Sequence, residues 1–168
     1  MSLFDFIRMC CLWFLAYLII KGVFISLGLG KSKKRMILSK LKKLSAEASK
    51  AQRFFGNAFN LSVGKAYRKL GKVKRRCLKA EKRFRIYLFD NPDNKTMEAI
   101  RNAFLSEKKE CSKRIANALS NDSLVRLGQE ETTLLSDCMG DFSKACDEAA
   151  EKVIVEIKRG KQRDSSGL

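Results

Sequence analysis

The fold class that the sequence predicts is all-α: one N-terminal transmembrane helix, then an antiparallel bundle or coiled-coil-like domain of three to four helices. Three observations predict it. Proline occurs once, at Pro92, in a chain rich in Lys, Arg, Glu, Ala and Leu, a composition that suits helices rather than sandwiches or barrels. From residue 33 onward, apolar residues recur at steps of three and four, and few stretches alternate apolar with polar residues as strands do. Residues 9–29 form a nearly unbroken apolar run.

That run, MCCLWFLAYLIIKGVFISLGL, is 21 residues long with Lys21 as its one charge. At about 1.5 Å per residue it spans a hydrocarbon layer of about 30 Å. Lysine at mid-bilayer costs about 2.5–3.5 kcal/mol, whereas eleven Leu, Ile, Phe and Val residues together contribute roughly −3 to −7 kcal/mol. Lys21 also lies off-centre, where its stem can carry the ammonium to the nearer interface. A cleaved leader needs a basic start and a small-residue cleavage site. Asp5, the length of the run and the sequence Ser26-Leu27-Gly28 fit that poorly. An interfacial helix needs its charges on one face, but Arg8 and Lys21 stand roughly 220° apart around a helix. The expectation is an uncleaved signal anchor over residues 1–30.

Orientation follows from the flanks. Lys31, Lys33, Lys34 and Arg35 follow the run at once, and positive residues stay on the cytoplasmic side. The expected placement is single-pass in the cell (inner or plasma) membrane with the C-terminal domain cytoplasmic. Gly22, Ser26 and Gly30, spaced by four, offer a small-residue packing face through which two such helices approach closely, leaving a homo-oligomer open. Cys10 and Cys11 sit near the boundary, where acylation is an option.

Residues 31–160 are expected to form the basic helical domain, with 161–168 a disordered polar tail. The first stripe runs Ile37, Leu41, Leu44, Ala48, Ala51, Phe55, Ala58, then Ala66, Leu70, Val73, Cys77, Ala80, Phe84 and Leu88. This is an a/d seam. Within it, Gly56, Asn57, Asn60, Ser62 and Gly64 are poor helix formers, so residues 33–88 are either one kinked helix or two with a break at 56–64. Asp90-Asn91-Pro92-Asp93-Asn94 predicts a turn. A helix over 96–119 follows, with Met97, Ile100, Phe104, Cys111, Ile115 and Leu119 on one face. Ser120-Asn121-Asp122 predicts a second turn with Asp122 as N-cap. The last helix is expected over 123–158, carrying Leu124, Leu127, Leu134, Cys138, Phe142, Ala145, Ala149, Val153 and Ile157. Short turns make sequential helices antiparallel.

The formal charge of +17 points to an anionic partner. It is concentrated: residues 31–89 hold 20 Lys/Arg against Glu47 and Glu81, whereas 90–168 hold 13 Lys/Arg against 15 Asp/Glu. Two clusters stand out. The membrane- or lipid-proximal one is Lys31, Lys33, Lys34, Arg35, Lys40, Lys42 and Lys43, placed by the anchor to meet anionic headgroups. The second, a basic binding face, is Lys65, Arg68, Lys69, Lys72, Lys74, Arg75, Arg76, Lys79, Lys82 and Arg83, with Arg85 beside it. On a straight helix it would lie tens of ångströms from the bilayer.

Catalysis has little support. The chain has no histidine, which removes imidazole triads and the usual Cys/His zinc sites, and no metal or cofactor is expected. Adjacent carboxylates such as Glu130-Glu131 do not share a helix face. Cys77, Cys111, Cys138 and Cys146 fall on apolar stripes and read as buried hydrophobes in a reducing compartment. The expectation is a non-enzymatic interaction protein presenting a basic surface to anionic lipid or an acidic protein. Two alternatives remain at this stage: a membrane-tethered nucleic-acid binder, and a membrane-active effector that oligomerises through its transmembrane helix.

Overall fold

The computed structural model describes residues 13, 14, 17, 33–120 and 125–165. The chain divides into two compact units, Met1–Ser32 and Lys33–Leu168. In the first, Trp13, Phe14 and Tyr17 are helical and exposed. The rest of the anchor expected at 9–29, including Gly22, Ser26 and Gly30, lies outside the described residues, as does Lys31. No helix among the described residues is long and apolar enough to cross a membrane.

The second unit is a four-helix bundle closed at one end by a two-stranded clasp. Its elements are α1 (Lys33–Gly56), β1 (Leu61–Ser62), α2 (Val63–Asp90), α3 (Lys95–Ala118), β2 (Arg126–Leu127) and α4 (Gln129–Ser165). The apolar seam is buried much as its spacing predicts. Ile37, Leu41, Leu44, Ala48, Ala51 and Phe55 are covered on α1, as are Ala66, Leu70, Val73, Cys77, Ala80 and Phe84 on α2. At the end of α2, Tyr87 takes the buried place and Leu88 is half-buried; the Asn94 amide donates to the Tyr87 hydroxyl at 3.0 Å. Met97, Ile100, Phe104 and Cys111 line α3.

The choice between one kinked helix and two is settled by Gly56-Asn57-Ala58-Phe59-Asn60. After Gly56 the chain turns, and Asn60 adopts φ 55°, a left-handed conformation that asparagine tolerates better than most residues. Leu61 then pairs with Leu127 and Ser62 with Arg126, antiparallel. Both leucines are buried and plug that end of the bundle. With α2 doubled back, the Lys33 ammonium meets the Asp90 carboxylate, so the start of α1 and the end of α2 lie side by side.

The expected last helix is corrected in three respects. It begins at Gln129, not at 123, because Arg126 and Leu127 belong to the clasp. Leu135 is buried and the expected Leu134 is exposed, while Cys138, Phe142, Ala149 and Val153 of the expected stripe are buried. It continues to Ser165, through part of the expected disordered tail. The N-cap expected at Asp122 lies outside the described residues. By contrast, Asn94 caps α3 at the first turn, its side chain accepting from the Met97 N–H at 3.0 Å.

α1 and α4 form the most extensive pair, and small residues let them approach. Ser136, Gly140 and Ser143 on α4 face Gln52, Ser49 and Ser45 on α1. The Ser143 hydroxyl lies 2.8 Å from that of Ser49 and 3.1 Å from that of Ser45, and donates to the Ser45 carbonyl at 3.1 Å. A side chain at Gly140 would meet the Gln52 amide at 2.6 Å. α3 lies along α4, α2 along α1, and the Phe84, Phe104 and Phe142 rings meet between them at centroid distances of 5.9 and 6.3 Å.

At the end opposite the clasp, Lys34 on α1 donates to Glu156 on α4 at 2.9 Å in a largely buried pair. Partial burial works against ionisation of Glu156, but the hydrogen bond and charge of Lys34, with Asn94 assisting, hold its carboxyl below the usual value. A carboxyl lowered on folding stabilises above its unfolded value of about 4.3, and that contribution is lost as pH falls through the lower folded value. Glu156→Gln should therefore flatten the acid limb of the stability–pH curve below about pH 5, as read by urea unfolding across pH 3–7.

Candidate functional site

Doubling α2 back on α1 merges what the sequence presents as two basic clusters. Lys40 and Lys43 of the first come beside Arg76, Lys79 and Arg83 of the second. Slight burial and then the charges of Lys43, Arg83, Lys79 and Arg76 push the Lys40 ammonium below the ordinary lysine value. One turn further along, Lys72, Arg75, Arg76 and Lys79 line a shallow cleft of about 230 Å³ around Glu47. Glu47 is the one acidic residue on α1, so like charges meet here with little compensation.

Other members of the two clusters have different surroundings. Lys33 and Lys34 are held in ion pairs with Asp90 and Glu156, which removes them from the set facing solvent as free cations. Arg35 and Lys42 are exposed at the start of α1. Lys65 and Arg68 are exposed near the clasp, at the far end of α2. The Lys69 ammonium lies 5.6 Å from the Phe54 ring centre, a cation–π contact. Lys74 and Lys82 are exposed. Three turns of α1 and α2 therefore gather Lys40, Lys43, Lys72, Arg75, Arg76, Lys79 and Arg83 into one surface. The sequence shows the residues but not their convergence, because that depends on the break at Gly56.

Two apolar residues join this surface near its Lys33 end. Phe89 is 87% exposed and Ile86 is 37% exposed, on the stripe that continues past Lys82. The sequence reading misses both, having placed that end of the seam at Leu88.

A second concavity opens between α2 and α3, which diverge beyond the Phe84–Phe104 contact. Its volume is about 480 Å³, its walls include Leu70, Val73, Leu78 and Ile115, and its floor includes Met139 and Phe142 of α4. Cys77 and Cys111 also line it. All four cysteines on the helical stripes are buried. Burial pushes the Cys77 thiol up to about 11 and raises that of Cys146. The hydrogen bond with Cys138, with burial behind it, raises Cys111 strongly. Among the described residues, no three Cys, Asp or Glu side chains gather closely enough to hold a metal ion.

Comparison of the chain with known protein families, curated proteins and solved structures gives no match, so the geometry itself is what bears on function.

Proposed function

We propose that the protein is a membrane-tethered, non-enzymatic interaction protein whose α1–α2 face docks on anionic phospholipid headgroups. The observation that carries this reading is the convergence of Lys40, Lys43, Arg76, Lys79 and Arg83, where slight burial and then mutual repulsion lower the Lys40 ammonium. Phosphate groups relieve that repulsion, and each Lys or Arg close to an anionic surface contributes about 1 kcal/mol. The apolar run at 9–29 supplies the tether, and the exposed Trp13, Phe14 and Tyr17 side chains suit a lipid surrounding. Exposed Phe89 and Ile86 beside Lys82 and Arg85 suit a headgroup boundary, where aromatic rings settle next to cations.

The described core draws on the four helices and on the clasp leucines Leu61 and Leu127, all within residues 33–168, so this unit can be tested without its tether. The unit should sediment with phosphatidylcholine vesicles that contain phosphatidylserine, and stay in solution with vesicles that lack it. Binding should weaken steeply between low and physiological salt, as the Debye length shrinks from about 30 Å at 0.01 M to about 8 Å at 0.15 M. Equal sedimentation with both vesicle types would refute the reading. So would tight binding to duplex DNA or RNA at physiological salt together with none to the phosphatidylserine vesicles, which would move the assignment to nucleic acid.

A further inference from the structure

Cys111 on α3 and Cys138 on α4 stand apart from the basic surface and play no part in the lipid reading. Their sulfurs are 3.0 Å apart, closer than two thiols need to be merely to fill a core. Cys111 is 8% and Cys138 1% exposed, so neither is open to a bulky reagent. Cys111 nonetheless borders the 480 Å³ cavity between α2 and α3, which is wide enough to admit a small solute. The Arg114–Asp141 ion pair, 2.8 Å long, spans the same two helices beside the sulfurs and holds them in register.

We infer that Cys111 and Cys138 are an oxidative modification site, a dithiol that a small hydroperoxide entering the α2–α3 cavity converts to a disulfide joining α3 to α4. The chemistry balances with that one co-reactant. Whichever sulfur takes an oxygen from the peroxide becomes a sulfenic acid, and the other half of the peroxide leaves as water or alcohol. The second sulfur, already 3.0 Å away, displaces the oxygen as water. Two S–H bonds and the O–O bond break, one S–S bond forms, and both protons end in the released molecules. Either thiol can donate in the Cys111–Cys138 contact, and the Cys138 thiol also reaches the Cys111 carbonyl at 3.5 Å, so each sulfur is held in place to be the one that attacks second. Cys77 lines the cavity as well, but its thiol is raised by burial and its sulfur has no cysteine partner at comparable distance among the described hydrogen bonds.

The bond would close the segment that runs from α3 through the clasp to α4, so it constrains the unfolded chain. The test treats the full-length protein with hydrogen peroxide under native conditions, followed by alkylation and non-reducing peptide mapping. The expected product is two hydrogens lighter, with the Cys111 and Cys138 peptides linked, and melts roughly 5 °C or more higher until dithiothreitol reverses the shift. Cys77→Ser and Cys146→Ser should still form the link, whereas Cys111→Ser and Cys138→Ser should lose it and stop at a sulfenic acid that dimedone traps once the protein is unfolded. The inference is overturned if Cys111 and Cys138 stay fully alkylatable after unfolding while methionines of the same sample have become sulfoxides. It is equally overturned if the link formed joins other cysteines.

Discussion

Phe104→Ala should destabilise the unit 33–168 by about 3–5 kcal/mol, read as a fall in the urea midpoint with an unchanged slope. Phe104 is 2% exposed and its ring is the middle member of the set that joins α2, α3 and α4. Truncation removes the transfer free energy of the ring and leaves a hole between three helices, which cannot all collapse onto it at once. It also ends the two ring pairings, each contributing about 0.5–1.5 kcal/mol beyond area alone. Since a domain of this size is typically stable by about 5–15 kcal/mol, the variant would sit near the threshold of folding at 37 °C. Phe104→Leu keeps most of the volume and should cost under about half as much. Equal losses for the two would show that the ring does not bridge the three helices.

Joint replacement of Lys40, Lys43, Arg76 and Lys79 by Gln should weaken binding to phosphatidylserine vesicles by roughly 10²–10³-fold. The figure follows from about 1 kcal/mol per cation near an anionic surface, with about 1.4 kcal/mol for each factor of ten. The fold should not suffer: these side chains are at most half-buried and repel one another, so the melting temperature should hold or rise. Net charge alone is controlled by a second quadruple variant, Lys109, Lys113, Lys144 and Lys152 to Gln, all exposed on α3 and α4. That variant should lose less than about tenfold. Equal losses would mean that total charge governs binding and that the α1–α2 surface has no special part.

Much of the helical unit is legible in the sequence because its seams are long and regular. The stripe from Ile37 to Phe55 needs no tertiary knowledge, since a step of three or four places each residue on one face wherever the helix packs. The Pro92 turn is legible for a local reason too: proline stops one helix, and Asn94 supplies the cap for the next. The clasp is not legible. Two residues paired with two others across 65 positions leave no period to detect, and Leu127 looks like a helical residue until Arg126 and Ser62 are seen together. That misreading set the start of α4 at 123 in place of Gln129, whereas its stripe of Cys138, Phe142, Ala149 and Val153 is buried as the spacing predicts. The basic surface and the thiol pair share one difficulty. Each residue type was visible at its position, but Lys40 meets Arg83, and Cys111 meets Cys138, only through the packing of helices.

The pairing of α1 with α4 also bears on how the chain comes to be made. Ser45 and Ser143 are partners 98 residues apart, and Lys34 and Glu156 are 122 apart, so the first helix of the bundle finds its main neighbour last. At about 5–20 residues per second of synthesis, the stripe from Ile37 to Phe55 leaves the ribosome roughly 5–20 s before the partner that buries it. During that interval α2 is the one cover at hand, and the hairpin it forms with α1 is an apolar half-shell on the nascent polypeptide, a natural surface for a chaperone to hold.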